Sequence, residues 1–231
     1  MPFFGSTKGS YGIGRSPYML NGSKVLILYD IASPDTMTLV KYFNSRYIHT
    51  QLVPRNTYNG TNPPLVGYST VIMLDGNTYT QDLNTNAQVA LKQFVSNGGK
   101  YISSEWAAYQ VKNGRLASMT DLVLLSRNTA KTSTQTYVID PAYASHPIFN
   151  GFTGTISMPL TSYNQGPTST FGTQPAQRLA WHLEASEETA IAVRTYGTGK
   201  IVHFSFAGGS YFNGVMNNPN VMKLIYNAYL W

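Results

Sequence analysis

KVLILYD, residues 24–30, carries five consecutive apolar or aromatic residues between a lysine and an aspartate. A strand with one wet face alternates apolar and polar residues, whereas a strand covered on both faces does not. This run therefore requires an apolar layer on each side of it. The sequence then supplies those layers. SPDTMTLVKYFNSR (33–46) reads as a helix, with Ser33 as N-cap, Pro34 in the first turn, and Met37, Leu39, Val40 and Phe43 as a stripe. HTQLVP (49–54) reads as a second strand and GYSTVIMLDG (67–76) holds a third, again fully apolar. DLNTNAQVALKQFVSN (82–97) predicts a helix with Val89, Leu91, Phe94 and Val95 inward and Gly98 closing it. KYISS (100–104) is the fourth strand. The order β-α-β-β-α-β with buried strands predicts an α/β domain with a largely parallel sheet.

The second half differs. LVLLS (122–126), QTYVID (135–140), RLAWHLE (178–184), TAIAVRTYG (189–197) and GKIVHFSF (199–206) read as extra strands. TSYNQGPTSTFGTQPAQ (161–177) reads as a long polar loop. NPNVMKLIYNAYLW (218–231) predicts a closing helix, capped by Asn217 or Asn218, with Pro219 at its start. Residues 1–22, rich in Gly, Ser and aromatics without a period, read as an extended arm, leaving 23–231 as one domain. Phe3, Phe4, Tyr11, Arg15 and Tyr18 are the arm's candidate binding residues, because its aromatics have no periodic face of their own to bury.

Composition narrows the chemistry. Cysteine is absent, which removes disulfides, thiolate metal sites and a Cys nucleophile together. Only 11% of residues are charged, against roughly 25% in ordinary soluble domains, so the surface is polar but weakly charged. The net charge of +6 comes from basic residues scattered singly, which argues against a specific nucleic-acid footprint. The opening MPFFGSTKG has no long apolar run behind a charged start, and no stretch is apolar enough to span a bilayer. The four histidines (49, 146, 182, 203) are scattered and form no zinc motif; no metal or cofactor is expected. His146, before Pro147, is read as shaping a turn. GSYGIGR (9–15) precedes a strand instead of following one, so it is a poor dinucleotide loop. FAGGSYFNG (206–214) can be read as an anion cradle or as a surface loop.

Four pieces in fixed order carry a family resemblance. They are KVLILYD with the helix after it, LKQFVSNGGKYISSEWAAY (91–109), SHPIFNGF (145–152), and AVRTYGTGKIVHFSF with the final helix. Together they resemble the class I glutamine amidotransferase-like superfamily, and within it the ThuA-like and biotin-protein-ligase-N-terminal-like branches, over about residues 23–231. The resemblance implies a flavodoxin-like three-layer sandwich with a mostly parallel sheet. It also implies a sharp strand-to-helix turn, G-x-C-x-G, that presents a thiol beside backbone donors. Here Ser103 and Ala107 stand where the glycines would be, Glu105 where the Cys would be, and Trp106 follows. His203 lies inside its strand and not just beyond it, a poor match to the family's catalytic histidine.

Two readings of Glu105 compete. It is a general acid or base lifted by its surroundings, or a strand-end carboxylate that caps the next helix or pairs with a base. Asp30 and Asp75, ending the first and third strands, would converge with Glu105 at the sheet's carboxyl edge, where open α/β sheets bind ligands. The absent thiol and glycines favour a non-enzymatic structural or binding protein. The opening PFFGSTKGSYGIGRSP is similar to short openings in phage tail and virion proteins. That points to a virion component, in capsid or tail, assembling with other virion proteins or with itself through the arm. The alternative is a ThuA-like carbohydrate-related enzyme or sugar binder, in the cytoplasm, using Glu105 with Asp30 or Asp75.

Overall fold

The computed structural model describes residues 24–74, 76–172, 175–208 and 214–231. The arm and Asp75 lie outside them. In chain order the described elements are β1 (Lys24–Tyr29), α1 (Pro34–Asn44), β2 (His49–Pro54), β3 (Tyr68–Met73), α2 (Thr85–Ser96), β4 (Lys100–Ser103), α3 (Glu105–Lys112), β5 (Thr129–Ile139), β6 (Thr155–Gln165), β7 (Gln177–His182), β8 (Ala185–Tyr196), β9 (Gly199–Phe204) and α4 (Pro219–Leu230). They build one mixed sheet in the order β2-β1-β3-β4-β9-β8-β7-β5-β6. Pairing is parallel from β2 to β9 and antiparallel from β9 to β6.

The uninterrupted apolar run is explained by its two faces. Val25 and Ile27 pack with Leu39 and Phe43 of α1 and with Val221, Leu224 and Ile225 of α4. Leu26 and Leu28 pack with Leu91 and Val95 of α2 and Ala107 of α3. The result is the expected three-layer sandwich, with helices α1 and α4 on one face and α2 and α3 on the other. Caps fix the helix starts. Ser33 Oγ accepts from Thr36 N, Asn84 from Asn86 N, and Asn218 from Asn220 N and Val221 N. Gly98 follows α2 at a φ of +104°, a left-handed turn that suits glycine.

Several elements differ from the sequence expectation. Helix α2 begins at Thr85, because Asn84 caps it, and not at residue 82. Met37 and Val89 are 42% and 52% exposed and sit on helix rims instead of facing inward. Residues 122–126 form no strand. A 3₁₀ turn at Thr120–Leu122 leads to a single bridge, Leu125 to Thr168. Their apolarity is burial against the α2 and α3 layer. The segment read as a loop from residue 161 begins as strand. Residues 161–165 are the second half of β6, polar yet buried.

The antiparallel half also curls shut. Beyond β9, Ser205 N donates to Ala190 O of β8 at 2.9 Å. On its other side Asn164 N of β6 donates to Ser205 O at 2.8 Å, and Ala207 N donates to Ser162 O at 2.7 Å. Residues 205–207 thus join β8 to β6, so β8, β7, β5 and β6 close into a ring over the end of β9.

Candidate functional site

β4 delivers the chain to the carboxyl edge of the sheet, where Ser104 opens α3 and Glu105 is its first residue. No side-chain cap forms there. Ser103 and Ser104 are buried, and among the described residues their hydroxyls have no hydrogen-bond partner. The Glu105 N–H donates to Phe206 O at 3.0 Å, so this backbone donor is engaged by the protein itself.

Glu105 is fully buried. Its Oε1 accepts from Arg127 Nη1 at 2.8 Å, and the Arg127 side chain is itself only 10% exposed. Burial pushes the Glu105 carboxyl up to about 7; the Arg127 charge and hydrogen bonding from Ser162 and Arg127 oppose that push. The Ser162 hydroxyl is near enough to favour the charged form, yet Oε2 makes no hydrogen bond of normal geometry. Above this pair lies an aromatic roof. Tyr79 stacks on Trp106 with centroids 4.5 Å apart, and Tyr109 meets both rings edge-on. The Arg127 guanidinium lies 4.8 Å from the Tyr109 ring centroid and 5.3 Å from that of Trp106. Ala107 is buried in the core beneath.

The loop that carries Tyr79 is held down from two sides. Asp30 accepts from Thr78 N at 2.8 Å and from the Thr78 hydroxyl. Arg55, fully buried, donates to Gln81 O at 2.8 Å and to Gln110 of α3. Asp30 therefore does not converge with Glu105. β3 separates their strands, which puts the two backbones about 10 Å apart, and each carboxylate has its own partner. Asp75 and the arm residues Phe3, Phe4, Tyr11, Arg15 and Tyr18 lie outside the described residues, as does most of 206–214.

His203 is buried in β9 beside Ser103 of β4. Its Nδ1 accepts from Leu124 N at 3.1 Å, which leaves Nε2 to donate to Ser104 O at 3.0 Å. Burial holds this imidazole down at about 3, neutral and with both nitrogens committed. It ties the elbow to the 122–125 segment. His146 accepts from Ile148 N and caps a short 3₁₀ turn.

Arg127 and Tyr79 are the residues that sequence reasoning missed. Neither LLSRNTAK nor GNTYTQ carries a period or motif that links it to the elbow. Two clefts lie away from the elbow. One of about 780 Å³ is lined by Tyr143, Gln177, Arg194 and Trp231, and one of about 630 Å³ by Tyr68, Phe94 and Lys100. Among the described residues no group of three His, Asp or Glu side chains could hold a metal, and no helix is long and apolar enough to cross a membrane.

The mixed sheet of this order, with a strand-to-helix elbow between β4 and α3, gives a glutamine amidotransferase-like fold. Solved structures share that fold. A ThuA-like protein from Bacteroides uniformis superposes at a TM-score of 0.67, with 15% identity over 94% of each chain. A second, from Parabacteroides merdae, gives 0.62 with 11% identity over 90% of this chain and 88% of that one. PurLQS from Thermotoga maritima gives 0.57 with 11% identity over 91% and 100%. No protein-family model matches the sequence, and no curated protein does.

Proposed function

We propose that this chain is a non-enzymatic assembly or binding protein built on a glutamine amidotransferase-like domain. One observation carries the reading: the elbow position is filled by Glu105, fully buried, paired with Arg127 and roofed by Trp106, Tyr79 and Tyr109. A nucleophile or general base must reach a substrate atom at hydrogen-bond distance, and this carboxylate reaches only protein. The fold also matches 30% of the chain of a β-galactosidase from Bacillus circulans, at 13% identity, so the fold recurs as one part of larger chains.

The finer proposal is a virion component, in capsid or tail, that docks through residues 1–22 onto other virion proteins or onto copies of itself. Its support is the opening PFFGSTKGSYGIGRSP and the weakly charged surface. Glu105→Gln preserves size and hydrogen bonding, and assembly should survive it. Any turnover of amide, ester or glycoside substrates that the variant abolishes would overturn the silent-elbow reading. Deleting residues 1–22 should weaken assembly while leaving the melting temperature nearly unchanged. A large fall in melting temperature would make the arm part of the domain core instead.

A second reading, a ThuA-like carbohydrate-related enzyme, draws on the Glu105 carboxyl lifted to about 7, a value suited to proton transfer near neutrality, and on the ThuA-like structures above. It requires the aromatic roof to open, and the same turnover assay decides it.

A further inference from the structure

The closed ring of the antiparallel half buries polar side chains among the apolar ones that a strand barrel normally packs. Tyr137 of β5 reaches across to Ser205, their hydroxyls 2.9 Å apart. The His182 ring on β7 stacks on Tyr163 of β6 with centroids 4.6 Å apart and meets the edge of Tyr137 at 5.3 Å. β7 and β6 flank β5 without touching in the sheet order, so both rings lie over one face of β5, the face that carries Tyr137. Gln135 stands two residues before Tyr137 and shares that face.

Gln135 is 2% exposed and His182 is fully buried. Yet among the described residues neither ring nitrogen of His182 and neither amide atom of Gln135 has a hydrogen-bond partner. Native interiors leave few such atoms, because a desolvated polar group without a partner is destabilising. Four on one face of two paired strands point to a ligand. Its chemistry follows from theirs. A neutral imidazole offers one donor and one acceptor, and a carboxamide offers both kinds. A charged ligand would meet no counter-charge on either side chain. A molecule that donates and accepts about three hydrogen bonds at once fits, and water does so in protein interiors.

We propose that the closed antiparallel ring holds bound water between Gln135 and His182, as a built part of the fold. A high-resolution crystal structure of the full chain should show solvent within about 3.2 Å of the Gln135 amide and of a His182 nitrogen. A ring interior packed without solvent there would overturn the proposal. Gln135→Met tests the sign independently, since it removes the amide at similar volume. If water satisfies the amide, the variant loses those bonds and its melting temperature falls by about 2–6 °C. If the amide is unpaired, an apolar replacement relieves it, and an unchanged or raised melting temperature would overturn the proposal. Should the variant fail to fold, ¹⁷O relaxation dispersion on the unaltered chain decides. Slowly exchanging internal water is expected, and its absence sinks the idea.

Discussion

The two halves of the sheet solve the same burial problem with different residues. In the parallel half, the inner strands β1 and β3 bury aliphatic side chains on both faces. In the antiparallel half, strands of up to twelve residues bury Tyr137, Tyr163, His182 and Gln135 beside aliphatic residues such as Ile139 and Ile191. The first half is stabilised by area removed from water, which is tolerant of direction. The second adds to such area buried polar groups whose hydrogen bonds are directional and modest in net effect. Glu105 sits where the halves meet, with its own helix on the parallel side and Ser162 of β6 on the other.

The largest expected effect sharpens the parallel side. Phe43 is fully buried, with its ring edge-on to Tyr229 at 5.4 Å. Phe43→Ala should lower unfolding free energy by about 3–5 kcal/mol in urea titrations. A loss below about 1 kcal/mol would show that the α1 and α4 layer is loosely packed.

Next comes the junction, read through pH. The Glu105 carboxyl is raised in the fold to about 7 from 4.5. Its contribution to stability is therefore complete below about pH 4.5 and is lost as pH rises through 7, about 3 kcal/mol in all. His203 and His182 act in the opposite sense. Burial lowers them to about 3 and about 4, so their contributions are present above pH 6.5 and are lost as pH falls toward those values. Glu105→Gln isolates the first effect. Urea midpoints measured from pH 4.5 to 8 carry the histidine effects in both proteins, so the difference between them isolates Glu105: the midpoint of the unaltered chain should fall relative to that of the variant as pH rises; a difference that stays constant would remove Glu105 from the account.

The smallest effect tests the antiparallel side. Tyr137→Phe deletes the hydroxyl that meets Ser205 and should cost about 1 kcal/mol. A loss as large as that of Phe43→Ala would erase the contrast between the halves, because one hydrogen bond would then equal a core aromatic.

The same contrast governs what could be read without coordinates. Burial on two faces writes itself as KVLILYD, so the sandwich was legible from β1, and the caps Ser33 and Asn218 were legible as residue types. Residues 161–165 were not. Thr161, Ser162 and Asn164 are buried, yet each is polar, because their partners are backbone groups of 126 and 205–207. In sequence this is indistinguishable from a loop. Residues 122–125 misled in the other direction: four apolar residues in a row promised a strand, while a His203 nitrogen holds the Leu124 N–H that a neighbouring strand would have used. At the elbow, the absence of a thiol was plain from the sequence. What replaced it was not, since the Glu105–Arg127 pair spans 22 residues with no regular element common to both.

The place of β9 carries a consequence for how the chain matures. Among the described strands it is the one between β4 and β8, and so joins the two halves by pairing, yet it spans residues 199–204, far along the chain from β4 at 100–103. During synthesis, the chain must emerge as far as residue 199 before β4 can acquire this neighbour. Until then its open side presents unpaired amides and carbonyls, a template for unwanted strand addition. Such non-local closure makes for slow folding. A ribosome-bound nascent chain halted before residue 199 is therefore the stage at which this protein needs a chaperone most.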